Sequence, residues 1–325
     1  MTVPGHSFCK RLLFSIFLCV ASGGVAAQPF SFVALGDLPY GQAAQGYAPY
    51  KSLIRAINQE RPSFSIHIGD FKSGSTLCSD EESKVQLGHF GLFDSALVFT
   101  PGDNEWTDCH RANNGSHDPL ERLQALRATF YKPGLSLGKQ PLAVLNQSTA
   151  APAFAKFVEN QRWVHQGVVF ATLHIVGSNN NFEVRDPRAV AEFFEREKAN
   201  IAWIRDTFAS AAQSQAKALV LAMQADVFEA KSLWEDFPAH SGYRASIGET
   251  LLPLVAQSNI PVLLIHGDSH VFRFDQPFML NKKPIPQLTR LEVPGASDVR
   301  AVHVTVDTRQ RNPFAVRLLE PATAP

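Results

Sequence analysis

The sequence predicts an α/β protein in which short buried strands alternate with helices over most of the chain. Two observations carry that prediction. Short apolar runs recur and end in turn chemistry, three times as Gly-Asp, and the stretches between them place apolar residues at helical spacing. Composition agrees: 45% of the 325 residues are hydrophobic and 18% charged, enough for a large core and unlike a disordered chain. Lys+Arg and Asp+Glu both number 30, which argues against nucleic-acid binding through a basic field.

Residues 1–27 read as a targeting segment. Lys10-Arg11 precede the apolar run Leu12 to Val20, and Val25-Ala26-Ala27 supply small residues, so a secretory signal cleaved after Ala27 is expected. The run is too short and interrupted to span a bilayer, and Phe17-Leu18 before Cys19 do not suit lipid attachment. Cleavage leaves one domain, 28–325, with a formal charge of −2 and only Cys78 and Cys109. Two cysteines in polar loops of an exported chain predict a disulfide. No other apolar run approaches transmembrane length, so a soluble periplasmic or secreted protein is expected, free of the membrane once the signal is cleaved.

The folded part opens with the strand 30–35 running into Gly36-Asp37. Tyr50, Leu53, Ile54 and Ile57 then share one helical face. Strands 64–68 and 96–100 follow, ending in Gly69-Asp70 and Pro101-Gly102-Asp103. Segments 110–119 and 131–150, rich in Gly, Pro, Asn and Ser, read as loops. After a strand at 168–173 comes a long helix, with Asp186 as N-cap, Pro187 at its first position, and Phe194, Ile201, Ile204 and Phe208 on one face. Strands 218–222 and 262–265 complete the alternation. Strands at 271–274, 288–293 and 302–306 follow without helices between them, which predicts a second, largely antiparallel sheet. Nothing in the sequence divides the domain further.

In parallel sheets ligands bind beyond the carboxyl ends of the strands, where the Gly-Asp turns lie. One such turn is weak evidence, since Asp caps helices anywhere. Three in series, followed by His266-Gly267-Asp268-Ser269-His270, place Asp37, Asp70, Asp103, Asp268 and His270 on one sheet edge. Carboxylates gathered in one pocket repel one another unless a cation neutralises them.

These blocks resemble the calcineurin-like metallophosphoesterases, in order Gly36-Asp37-Leu38-Pro39-Tyr40, Gly69-Asp70, Gly102-Asp103-Asn104-Glu105, Met223-Gln224-Ala225-Asp226 and Gly267-Asp268-Ser269-His270. The resemblance runs from about residue 30 to 275 and implies a sandwich of two mixed β-sheets flanked by helices. It implies two divalent metal ions, with Asp70 bridging, Asp37 and His270 on the first, and Asp103, Asp268 and Gln224 on the second. It also implies a small phosphorylated substrate hydrolysed by a metal-activated water. The chain departs from the pattern at Pro39, Asp103, Asn104, Gln224 and Asp268. Asn104 stands where the family carries a catalytic His and cannot protonate a leaving group. Oxygen donors in place of imidazoles favour Mn²⁺, Mg²⁺ or Ca²⁺ over Zn²⁺ or Fe.

The loops offer candidates for the remaining roles. Lys72 and Arg111 are phosphate clamps or solvated loop charges. His110, His174 and His266 are acids, ligands or hydrogen-bonded structure. Asn179-Asn180-Asn181 contact substrate or form a plain turn, and Trp106 packs beneath its loop or stacks on substrate. Cys78 and Cys109 follow Asp70 and Asp103 closely, so a bridge between them would pin two Gly-Asp loops around the metals. The expected function is an exported metal-dependent phosphoesterase. Its rival is a degenerate relative that binds metal or a phosphorylated ligand without turnover.

Overall fold

A computed structural model describes residues 1–3, 28–41, 43–228 and 241–323. The expected signal and its cleavage point therefore lie outside the described residues, but for the first three. Among the described residues no helix is long and apolar enough to cross a membrane.

Two mixed sheets face each other. The first contains β1 (Phe30–Leu35), β2 (Phe64–His67), β3 (Ala96–Phe99), β4 (Leu137–Gly138), and two late strands, β14 (Ala301–Val306) and β15 (Phe314–Leu319). Its order is β15-β14-β1-β2-β3-β4, with β1, β2 and β3 parallel and the other strands antiparallel to their neighbours. The second sheet contains β5 (Leu145–Asn146), β6 (Gln161–His165), β7 (Val168–Thr172), β8 (Ala218–Ala222), β9 (Val262–His266), β10 (Arg273–Asp275) and β13 (Leu288–Glu292). It runs β10-β13-β9-β8-β7-β6-β5, parallel from β7 through β8 and β9 to β13. A small hairpin, β11 (Met279–Leu280) with β12 (Lys283–Pro284), stands apart.

The central strands are apolar on both faces because both faces are covered. Phe32, Ala34, Ile66, Val98, Val302 and Val304 of the first sheet meet Phe170, Val220, Leu263, Ile265 and Leu291 of the second. Outside the first sheet lie α1 (Ala43–Glu60), α2 (Asp80–Phe90) and α3 (Pro119–Phe130), through Leu53, Ile54, Ile57, Phe90, Leu126 and Phe130. Outside the second lie α4 (Pro187–Gln213) and the helix Leu252–Gln257, through Trp203, Ile204, Phe208 and Val255. Each such buried side chain contributes roughly 1.5–3 kcal/mol.

The expected helix face of α1 is buried as read, and Asp186 caps α4 with Pro187 in its first turn. Three expectations are corrected. The strands expected at 271–274, 288–293 and 302–306 do not form an antiparallel sheet of their own: β13 pairs parallel with β9 in the second sheet, while β14 crosses back to β1 in the first. The expected face of α4 holds at Ile204 and Phe208, which are buried in the core, and fails at Phe194, which is 59% exposed while Phe193 and Trp203 are buried. Segment 131–150 is not all loop, since its middle supplies the edge strands β4 and β5.

Candidate metal centre

The carboxyl ends of β1, β2 and β3 meet those of β7, β8 and β9 at one edge of the sandwich. Beyond them the chain turns sharply. Asp37, Asp70, Asp268 and His270 have φ of 51°, 54°, 76° and 62°, a left-handed backbone that costs of order 1 kcal/mol per residue and that Asp tolerates better than most. Ser178, Asn179, Asn180 and Asn181 continue this with φ of 50°, 53°, 57° and 58°. These left-handed residues thus gather where the loops converge.

Asp70, Asp103 and Asp268 each offer an oxygen, and the three oxygens lie within 4.8 Å of one another. The Gln224 amide sits among them: Nε2 donates to Asp103 Oδ1 at 2.9 Å, Asp268 Oδ1 at 3.1 Å and Asp70 Oδ2 at 3.3 Å. Its Oε1 accepts from Gly177 N at 2.6 Å. Asp70 is also held by Asn104, whose backbone N–H reaches Oδ1 at 3.1 Å and whose Nδ2 reaches Oδ2 at 2.7 Å. The Tyr40 hydroxyl donates to the same Oδ2 at 2.9 Å and accepts from Asn104 Nδ2 at 2.7 Å. Asp37 lies behind Asp268, accepting from its backbone N–H at 3.2 Å, with His270 Nε2 3.9 Å away.

Glycines allow this density. A Cβ on Gly102 would fall 2.0 Å from Asp70 Oδ1, and one on Gly177 within 2.9 Å of the Asp103 and Asp268 carboxyl groups. Side chains at either position would close the pocket.

The electrostatics are strained in the same direction. Burial, then repulsion from Asp103, Glu105 and Asp37, pushes the Asp70 carboxyl well above the usual range. Burial does the same to Asp37, with a backbone hydrogen bond from Asp268 opposing it. Asp108 is pushed up to about 6 by burial and by Asp103, although Ser178 and Arg111 hold it down. Three converging oxygens, crowded anions and a glycine-lined opening fit a divalent cation.

Asp37, Asp70, Asp103, Gln224, Asp268 and His270 are thus brought together, with Asn104 against them. Arg111 stands at the rim, half exposed, pairing with Asp108 at 2.6 Å and reaching Ser178 Oγ at 3.4 Å. His110 is exposed, its Nδ1 on Thr107 O at 2.7 Å. Lys72 is buried beneath the loop; its ammonium donates to Asn114 Oδ1 at 3.1 Å and Ser73 O at 3.2 Å, and burial lowers its pKa. Asn180 is likewise buried, donating to Gly242 O and accepting from Val176 N and Arg196. Lys72 and Asn180 thus make their hydrogen bonds to loop groups, with Lys72 near enough to Glu105 and Asp70 for their charges to act on it. His174 is buried against Glu159 and Trp106, and His266 against its own turn. Cys78 and Cys109 form a disulfide with Cα atoms 5.8 Å apart. Its sulfurs lie 3.6 and 3.7 Å from the Asn104 carbonyl oxygen, under the residue that grips Asp70.

Sequence reasoning gave no role to Tyr40 or Ser178. Ser178 Oγ lies 2.9 Å from Asp103 Oδ2 and 2.8 Å from Asp108 Oδ1, linking the two carboxylates. Tyr40, three residues after Asp37, was within reach of a motif reading; Ser178 follows no spacing rule.

No family model matches the chain, and a search of curated proteins finds no match. Solved structures do. A dimetal phosphatase from Danio rerio aligns with a TM-score of 0.55 at 10% identity, covering 90% of this chain and 99% of that one. GAP50, the anchor in the inner membrane complex of Plasmodium, aligns with a TM-score of 0.50 at 13% identity over 91% and 90%. Such likeness speaks for architecture alone, and it agrees with the two mixed sheets and the helical layers: the chain has the calcineurin-like metallophosphoesterase fold.

Proposed function

We propose that the protein is an exported, metal-dependent phosphoesterase acting on a small phosphorylated substrate. The observation that carries this reading is the convergence of Asp70, Asp103 and Asp268, buried or half-buried at the meeting of two sheets, with one oxygen of each within 4.8 Å of the others. Carboxylates crowded into one pocket repel one another, and a divalent cation bound among them relieves that repulsion. Asp70 is central enough to serve two ions, with Asp37 and His270 on one side and Asp103 and Asp268 on the other. Bound there, divalent cations supply charge to the phosphate oxygens and acidify a water.

The chain's own residues set the rest. Asn104 and Tyr40 fix the orientation of Asp70, and Gly102 and Gly177 keep the approach open. Arg111, anchored by Asp108 at the rim, is the cation best placed to hold a phosphate oxygen. With Asn104 committed to Asp70, leaving-group protonation falls to another group, which favours esters whose leaving group needs little help. The disulfide and the reading of residues 1–27 together support export. Release of aryl alcohol from a generic aryl phosphate, with chelator-treated protein and added Mn²⁺ or Mg²⁺, tests the reading; no turnover with any divalent ion would refute it.

A second reading, binding without turnover, is favoured by Asn104 itself. Its Nδ2 is engaged by Asp70 and Tyr40 where proton transfer would be wanted. The similar Plasmodium protein is named as an anchor, not as a phosphatase. Cation binding with no hydrolysis would decide for this alternative.

A further inference from the structure

We infer that Gln224 is a built-in competitor for one cation of the centre and not one of its ligands. The inference rests on the metal-binding reading above and assigns this residue the opposite part from an oxygen donor. Its amide nitrogen lies 2.9, 3.1 and 3.3 Å from oxygens of Asp103, Asp268 and Asp70, the three groups whose oxygens converge. A nitrogen at those distances from three carboxylates stands where a cation would.

Which amide atom faces the carboxylates is fixed by a neighbour. Gly177 N–H points at Oε1 from 2.6 Å and needs an acceptor there. Turning the amide over would set an NH₂ against that N–H and an oxygen against three carboxylates, losing four favourable contacts. Gln224 is fully buried two residues past β8, so it has no room to swing aside without moving the 177–181 turn. That turn is held in place by Asn179 Oδ1 on Gly242 N at 2.9 Å and by Asn180 on Gly242 O at 2.9 Å. The Gln224 amide thus partly satisfies the cluster in the absence of metal. A cation entering between Asp103 and Asp268 displaces these hydrogen bonds, whereas one held by Asp37, Asp70 and His270 leaves the Asp103 and Asp268 bonds intact. Occupancy is then stepwise, a tighter ion first and a weaker one second, and the second responds to ambient divalent concentration.

The test is Mn²⁺ titration of chelator-treated full-length protein by calorimetry, with bound metal counted by mass spectrometry after desalting, for wild type and Gln224→Ala. The wild type is expected to hold one Mn²⁺ more tightly than a second. Removing the amide is expected to tighten the second by roughly tenfold or more, because charge-assisted hydrogen bonds no longer compete. Should the alanine variant fail to fold, Gln224→Ser removes the same amide while keeping a polar group and carries the same expectation. A second Mn²⁺ bound more weakly by the variant would show Gln224 to be an oxygen ligand and overturn the inference while leaving the metal-dependent reading intact. No Mn²⁺ bound by either protein would overturn both.

Discussion

Removing the Cys78–Cys109 bridge tests how far the two Gly-Asp loops depend on being tied. The bridge closes a loop with a sequence separation of 31. Loop-closure entropy for that length gives about 3.7 kcal/mol at 25 °C. For a folded chain of about 300 residues the unfolding entropy near 60 °C is roughly 0.6 kcal/mol/K, so the loss translates to a Tm lowered by about 6 °C. Both sulfurs are buried beneath the Asn104 carbonyl, so replacing both cysteines by alanine adds a small cavity term in the same direction. The assay is calorimetric melting of the double variant beside the oxidised parent, with thiol titration of the unreduced, denatured parent. Because the bridge lies under the residue that grips Asp70, cation affinity should fall as well. An unchanged Tm, or two free thiols in the parent, would refute the argument.

Asp70→Asn suits the left-handed backbone at this position and relieves anion crowding. It also loses one acceptor oxygen facing the Asn104, Tyr40 and Gln224 donors, so melting in chelator should show a stability within about 1 kcal/mol of wild type, while the Tm increment given by Mn²⁺ disappears along with turnover. Gly177→Ala places a methyl within 2.9 Å of two carboxyl groups, and denaturant titration should report a loss of about 1–3 kcal/mol together with weaker cation binding. Burial lowers His174 to about 4 and His67 to about 3. Their folded pKa values lie below the unfolded value of about 6.5, so their stability is fully present above pH 6.5 and is lost as pH falls toward 3. His174 alone accounts for about 3 kcal/mol of that loss, and His174→Gln should flatten the denaturant midpoint against pH between 6.5 and 4. Asp268→His should shift the metal preference from Mn²⁺ toward Zn²⁺ in competitive loading.

The parts of this molecule legible in the sequence are those fixed by local chemistry. A strand that runs into Gly-Asp announces its own end, so Asp37, Asp70, Asp103 and Asp268 could be placed on one edge before any contact was known. The cap of α4 was equally local, whereas the start of its buried face was not. Phe193 and Phe194 are adjacent and both fit an apolar spacing, and only the tertiary fold, which buries Phe193 beside Phe182 and leaves Phe194 exposed, selects the first. Lys72 and Asn180 lie close in sequence to the site, yet the path of their loops turns one onto Asn114 and the other onto Arg196 and Gly242. Ser178 reaches Asp103 through a left-handed run of four residues that no spacing rule encodes. The sheet membership of β13 and β14 depended on non-local pairing, which strand composition leaves open.

Phosphate-ester hydrolysis as a function of added divalent cation, on chelator-treated wild type and Asp70→Asn in parallel, is the measurement closest to the central claim. Turnover that is absent in chelator, returns with Mn²⁺ or Mg²⁺, and never appears in Asp70→Asn is the predicted result. Hydrolysis that survives chelation or persists in Asp70→Asn would contradict it, and so would a folded, metal-loaded wild type that hydrolyses no phosphate ester.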